Sequence, residues 1–224
     1  MKKVTVCLLF LLPVFFVNGQ IAGRIAGERL LLRTSSAAYE HGNGDVQGSP
    51  YLYDDFKEGQ VISFKGHYKG IPMRYNIYDD NIEFKQNGVD MILDPDISIK
   101  KVILSDMILT VGKFEYRNKV QFGFLERLDS GQLSLFAKKV VVFKEKEETQ
   151  ALEYNTKPAR FTSLSDIFYY RIGNGDISKI VSIKKLIESL PDKQTEMSAY
   201  AKKEKLSVGR NDLLKFAEHY GSLH

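Results

Sequence analysis

Three acidic groups are the residues best suited to chemistry: Asp54 with Asp55, Asp79 and Asp80 with Asn81, and Asp94 and Asp96 on either side of Pro95. Calcium takes about six to eight oxygen ligands, and glycoside hydrolysis needs two carboxylates roughly 5–10 Å apart. Neither pattern is complete here. The chain has no alternating Asp-x-Asp-x-Asp-Gly loop and no tryptophan for sugar stacking. Asp and Asn close turns by bonding their own backbone, so turn formation is the expected role of all three groups.

Other chemistries find less support. His41, His67, His219 and His224 include no pair at the helical spacing of a zinc motif. No Gly-x-Ser-x-Gly elbow, phosphate loop or dinucleotide fingerprint occurs. Gly42-Asn43-Gly44-Asp45 and Gly173-Asn174-Gly175-Asp176 are alike because both have turn composition. No catalytic residue, metal site or cofactor is expected.

Recognition is the better-motivated use of polar and aromatic residues. Tyrosine and phenylalanine are plentiful from Tyr51 to Phe84 and again at Phe168, Tyr169 and Tyr170. Most should pack in the core. Those on a polar strand face are candidates for a contact surface. Tyr78 and Arg74 on one such face, Asp79 and Asp80 in the adjoining turn, and Tyr53 beside the first acidic pair form that candidate surface.

These residues depend on strands for their positions. Ile71, Met73, Tyr75 and Ile77 alternate with Arg74, Asn76 and Tyr78, the period-two pattern of a half-buried antiparallel strand. Asn87-Gly88 suits the two positive-φ positions of a type I′ hairpin. That turn would pair Phe84 with Met91, Ile82 with Leu93 and Lys85 with Asp90. The other strand candidates are 61–65, 82–86, 89–93, 99–104, 107–111 with a break at Gly112, 120–128, and 133–143 as one bent strand or two. A charge run over 144–150 suggests a connector, with short strands at 160–162 and 167–172 after it.

From Ser182 onward the apolar period changes to three and four. The expected helices are one capped by Ser182 and ending before Pro191, one starting at Asp192, and one through Leu213, Phe216 and Tyr220. The fold class is therefore α+β: mainly antiparallel β in a rolled sheet, open barrel or sandwich, with a C-terminal region of about three short helices. The organisation expected is an N-terminal arm over 20–50, with a short helix at 25–32 and an exposed loop after it. A β domain over 51–144, a connector over 145–176 and a helical region over 177–224 follow.

Tyr51-Leu52-Tyr53-Asp54, the stretch 71–88 and Lys157-Pro158-Ala159-Arg160-Phe161 resemble a family of uncharacterised exported proteins of Gram-negative cell envelopes. The resemblance runs from Tyr51 to the C-terminus. It implies a β-rich body and secretion across the inner membrane, and it implies no activity.

The N-terminus supports export independently. Lys2-Lys3, the apolar run 4–17 and the small-residue break at Asn18-Gly19 read as a signal peptide, with an apolar stretch shorter than the ~20 residues a spanning helix needs. Removing residues 1–19 takes away Lys2, Lys3 and the single cysteine, Cys7. The formal charge of +4 becomes +2, and the mature chain has no thiol or disulfide. Basic and acidic residues alternate along the chain, so no basic stripe for nucleic acid is expected. Periplasmic, outer-membrane-associated or secreted placement follows, with an envelope protein or surface component as partner. The expected function is that of a non-enzymatic binding module. The alternatives are a small-molecule or lipid carrier with a barrel-like pocket and a hydrolase using the acidic turns, which requires those aspartates to converge. A membrane-spanning barrel fits poorly, because most strand candidates fall short of ~9–11 residues.

Overall fold

The computed structural model describes residues 32–34, 46–146 and 157–224, the first three as backbone alone. The signal-like segment, His41, the first Gly-Asn-Gly-Asp sequence, most of the expected 25–32 helix and the end of the charge run lie outside the described residues. The fold is α+β, with a large sheet and three C-terminal helices.

The strands are β1 (Leu32–Thr34), β2 (Val46–Gln47), β3 (Lys57–Ser63), β4 (His67–Asn76), β5 (Asn81–Gln86), β6 (Val89–Leu93), β7 (Ile99–Leu104), β8 (Met107–Tyr116), β9 (Lys119–Ser130), β10 (Leu133–Lys144), β11 (Ala159–Ile172) and β12 (Ser178–Lys179). They form one sheet in the order β1-β6-β5-β4-β3-β7-β8-β9-β10-β11-β12. β2 lies parallel to β11, which makes the sheet mixed.

The β5–β6 hairpin has the expected register in all three predicted pairs. Asn87 and Gly88 take φ of 52° and 78°, and Lys85 Nζ lies 3.0 Å from Asp90 Oδ1. Three boundaries and one face assignment differ from expectation. Gly112 does not end β8: its missing side chain makes room for Ile177, and the turn falls at Arg117 and Asn118, both with positive φ. The segments 160–162 and 167–172 are parts of one strand, β11, paired with β10 from Arg160 to Ile172 through a register shift opposite Lys138–Val140. The 20–50 arm contributes β1 on β6 and β2 on β11, so parts of it belong to the sheet. Asn76 is buried, although its alternation put it on the polar face, because its Oδ1 accepts the Asp79 N–H at the β4–β5 turn.

Connection lengths force the sheet to coil. Leu93 lies level with Tyr75 of β4, through Ile82, whereas Ile99 lies level with the β3–β4 turn, through Ser63. In a flat sheet that offset is ~30 Å along the strands and ~19 Å across four strand spacings, or ~35 Å in all. The link from Leu93 to Ile99 spans at most ~22 Å. The β3–β7 region therefore rolls up. Tyr75 thereby meets Phe124 of β9 edge-on, with ring centroids 6.0 Å apart. Met73, Tyr75, Ile82, Leu104, Leu109 and Phe124 fill the roll as one fully buried cluster.

A second cluster docks the helices on the sheet. α1 (Ile183–Ser189) has Ser182 as its N-cap, the Lys185 N–H donating to Ser182 Oγ, and stops at Leu190 before Pro191, as expected. α2 (Gln194–Lys203) is capped by Lys193 in the left-handed conformation. Asp192 instead accepts a hydrogen bond from Tyr220, which corrects the expected start. α3 (Arg210–Ser222) buries Leu213, Phe216 and Tyr220 completely, against Leu133, Leu135 and Ala137 of β10. No helix among the described residues is long and apolar enough to cross a membrane.

Candidate binding cleft

The β4–β5 turn, the β8–β9 hairpin and β10 enclose a cleft of about 700 Å³. Tyr78, Asp79 and Asp80 line it from the turn, Tyr116, Arg117 and Gln121 from the hairpin, and Lys138 to Phe143 from β10. Tyr78 and Phe143 are each more than a third exposed, and both pack on Phe161, at centroid distances of 5.4 and 5.0 Å. Arg117 lies 5.0 Å over the Tyr116 ring.

The cleft floor is polar and closed on itself. Lys138 sits in an apolar run, Leu-Ser-Leu-Phe-Ala-Lys-Lys-Val, and its side chain is 4% exposed. Its Nζ lies 2.5 Å from Asp80 Oδ1 and donates to Tyr75 Oη and the Phe124 carbonyl, each at 3.1 Å. Tyr75 Oη donates to Asp80 Oδ1 at 2.7 Å, and the Phe124 N–H donates to Asp80 Oδ2 at 3.3 Å. All three ammonium hydrogens are thus engaged within the protein. Burial pushes the Lys138 ammonium below the usual lysine range against the pull of Asp80, and burial with the Asp80 charge raises the Tyr75 phenol. Gly123 makes this possible, because any side chain there would collide with Asp80 Oδ2.

Of the five residues singled out in the sequence, the structure gathers Tyr78, Asp79 and Asp80 in the cleft. Arg74 does not line it. Its guanidinium gives two hydrogen bonds to Glu83 Oε2, at 2.8 and 2.7 Å, others to Tyr51 Oη and the Asp54 carbonyl, and stacks on Tyr51 and Phe56. That is a clamp holding the chain before β3 against β4 and β5. Tyr53 also lies apart, its hydroxyl donating to Asp106 at 3.4 Å.

The acidic groups do not converge. Neither Asp54–Asp55 nor Asp94 and Asp96 line the cleft. Asp96 accepts the Ser98 N–H, Asp54 accepts from Ser49, and Asp79 bonds across its own turn. Among the described residues no three His, Cys, Asp or Glu side chains come together to hold a metal ion.

Sequence reasoning missed Lys138, Tyr116, Arg117, Gln121 and Phe143. A readable signal existed for Lys138 alone: a lysine between Phe136 and Val140 on an apolar strand demands a buried partner. Comparison with protein-family models, curated proteins and solved structures finds no match.

Proposed function

We propose that the protein is an exported cell-envelope protein that binds an envelope protein or surface component through this cleft and catalyses no reaction on it. The observation that carries the reading is the contrast between rim and floor. The floor's ionisable groups spend their hydrogen bonds on one another, whereas the rim presents Tyr78, Tyr116 and Phe143 with Arg117 and Gln121. Aromatic and arginine side chains are the groups that dominate binding energy at interfaces. The filled interior of the roll favours contact at this surface over enclosure of a ligand. The signal-like N-terminus and the resemblance to exported envelope proteins support the compartment.

The test is native mass spectrometry of the chain extracted gently from its own cells, wild type beside a Tyr78→Ala, Arg117→Glu variant. The reading expects a chain beginning near Gln20 with a companion that the variant loses. A companion held equally by both forms, or absent from both, overturns it.

A further inference from the structure

Lys138 and Asp80 come from β10 and the β4–β5 turn, and only the coiling of the sheet brings them together. An ion pair accounts for their distance, yet the atoms around them are also those required to condense an amine with a carboxylic acid. Nζ lies 2.5 Å from Oδ1 with its side chain 4% exposed. Tyr75 Oη donates to that same Oδ1 and accepts from Nζ, so the hydroxyl bridges the proton's source and its destination. The Phe124 N–H points at Oδ2, where negative charge would build in a tetrahedral adduct, and the Phe124 carbonyl orients Nζ.

We infer that Lys138 Nζ and Asp80 Cγ are joined in the mature protein by an intramolecular isopeptide bond, with Tyr75 as the proton relay. The ammonium first passes a proton to the carboxylate through Tyr75, which leaves a neutral amine and a neutral acid. The Nζ lone pair then attacks Cγ, and the Phe124 N–H stabilises the oxygen that becomes the amide carbonyl. Oδ1 departs as water with a second proton from the amine. One C–O bond breaks, one C–N bond forms, and nothing is oxidised or reduced.

Two features favour the reaction at this place. In water, solvation of the charged pair resists condensation. Here the lysine side chain is 4% exposed and lies against Tyr75 and Phe114, the Asp80 side chain is 19% exposed, and burial disfavours the ammonium. The neighbouring cleft gives the released water a way out. The bond fixes the β4–β5 turn to β10 whatever the cleft binds, so this inference stands apart from the proposed function.

Intact-mass and tryptic peptide mass spectrometry decide it, on wild-type protein and a Lys138→Arg variant made in the same cells. Arginine keeps the charge pair but lacks the amine. The wild type should be lighter than its sequence by the mass of one water, with segment 75–85 joined to segment 128–139 and trypsin blocked at Lys138. The variant should have its full sequence mass. Folded wild-type protein that retains its full mass after prolonged incubation, or a link that maps to Asp79, overturns the inference.

Discussion

Replacing Arg210 with methionine removes the guanidinium while keeping most of the aliphatic stem, and it tests how the helical region is held to the sheet. Arg210 opens α3 and gives parallel hydrogen bonds of 2.7 and 2.6 Å to the two oxygens of Glu126 on β9, with a third of 3.1 Å to Asp166 on β11. Lys139 completes the network, 3.4 Å from Glu126 and 3.1 Å from Asp166. The Glu126 side chain is only 11% exposed. Without Arg210 it would keep a single long contact to Lys139. A charge-assisted hydrogen bond contributes ~1.5–3 kcal/mol, and stripping a partner from a fully buried pair costs ~3–5 kcal/mol. Because Arg210 itself is a third exposed and Lys139 remains, the expected loss is ~2–3 kcal/mol.

The pH dependence has a definite sign. Burial pushes the Glu126 carboxyl up, but the Arg210 hydrogen bond and the charges of Lys139 and Arg210 outweigh it and hold the group below its ordinary value of 4.5. A lowered folded-state value contributes stability that is complete above the unfolded value and fades as pH falls through the folded one. The cost of Arg210→Met should therefore be full at neutral pH and shrink as pH falls below the ordinary carboxyl value of 4.5. Urea unfolding at several pH values measures it, and amide hydrogen exchange should show α3 losing protection before the roll does. A double variant, Glu126→Gln with Arg210→Met, should recover much of the loss. A cost under ~0.5 kcal/mol at neutral pH, or strict additivity in the double variant, would refute the buried-network account.

Phe216 is fully buried in the helix–sheet cluster, so Phe216→Ala should cost ~3–5 kcal/mol in the same unfolding assay. Gly123→Ala should destabilise through the Asp80–Lys138 contact and not through backbone conformation; combining it with Asp80→Ala should cost less than the two single losses added together. Lys85→Ala should change stability by less than ~1 kcal/mol although its ion pair with Asp90 measures 3.0 Å, because both side chains are more than two-fifths exposed.

Local chemistry made part of this molecule legible before folding. The β5–β6 register followed from Asn87-Gly88 and from pairs that must satisfy one face together, and α1 followed from Ser182 and Pro191. Gly112 misled because a glycine in a strand reads as a break, whereas here it leaves space for Ile177 from a distant segment. Arg117 and Asn118 hid the real turn, since arginine is an uncommon residue at positive φ. In the cleft, Tyr78, Asp79 and Asp80 were readable because one turn holds them together. Arg74 was misassigned because strand alternation identifies a polar face without revealing that the chain around Tyr51 and Asp54 covers it.

The division between sequence and tertiary structure follows the range of the interactions. Hydrophobic period, turn residues and caps act over a few positions, so the sequence by itself determined the strands of the meander, one hairpin register, the three helices and the α+β class. The coiling of the sheet arises from a short link between strands far apart in the strand order, a condition no local pattern encodes. That coiling set Lys138 against Asp80 and opened the cleft beside them, and the docking of α3 on β10 placed Arg210 between Glu126 of β9 and Asp166 of β11.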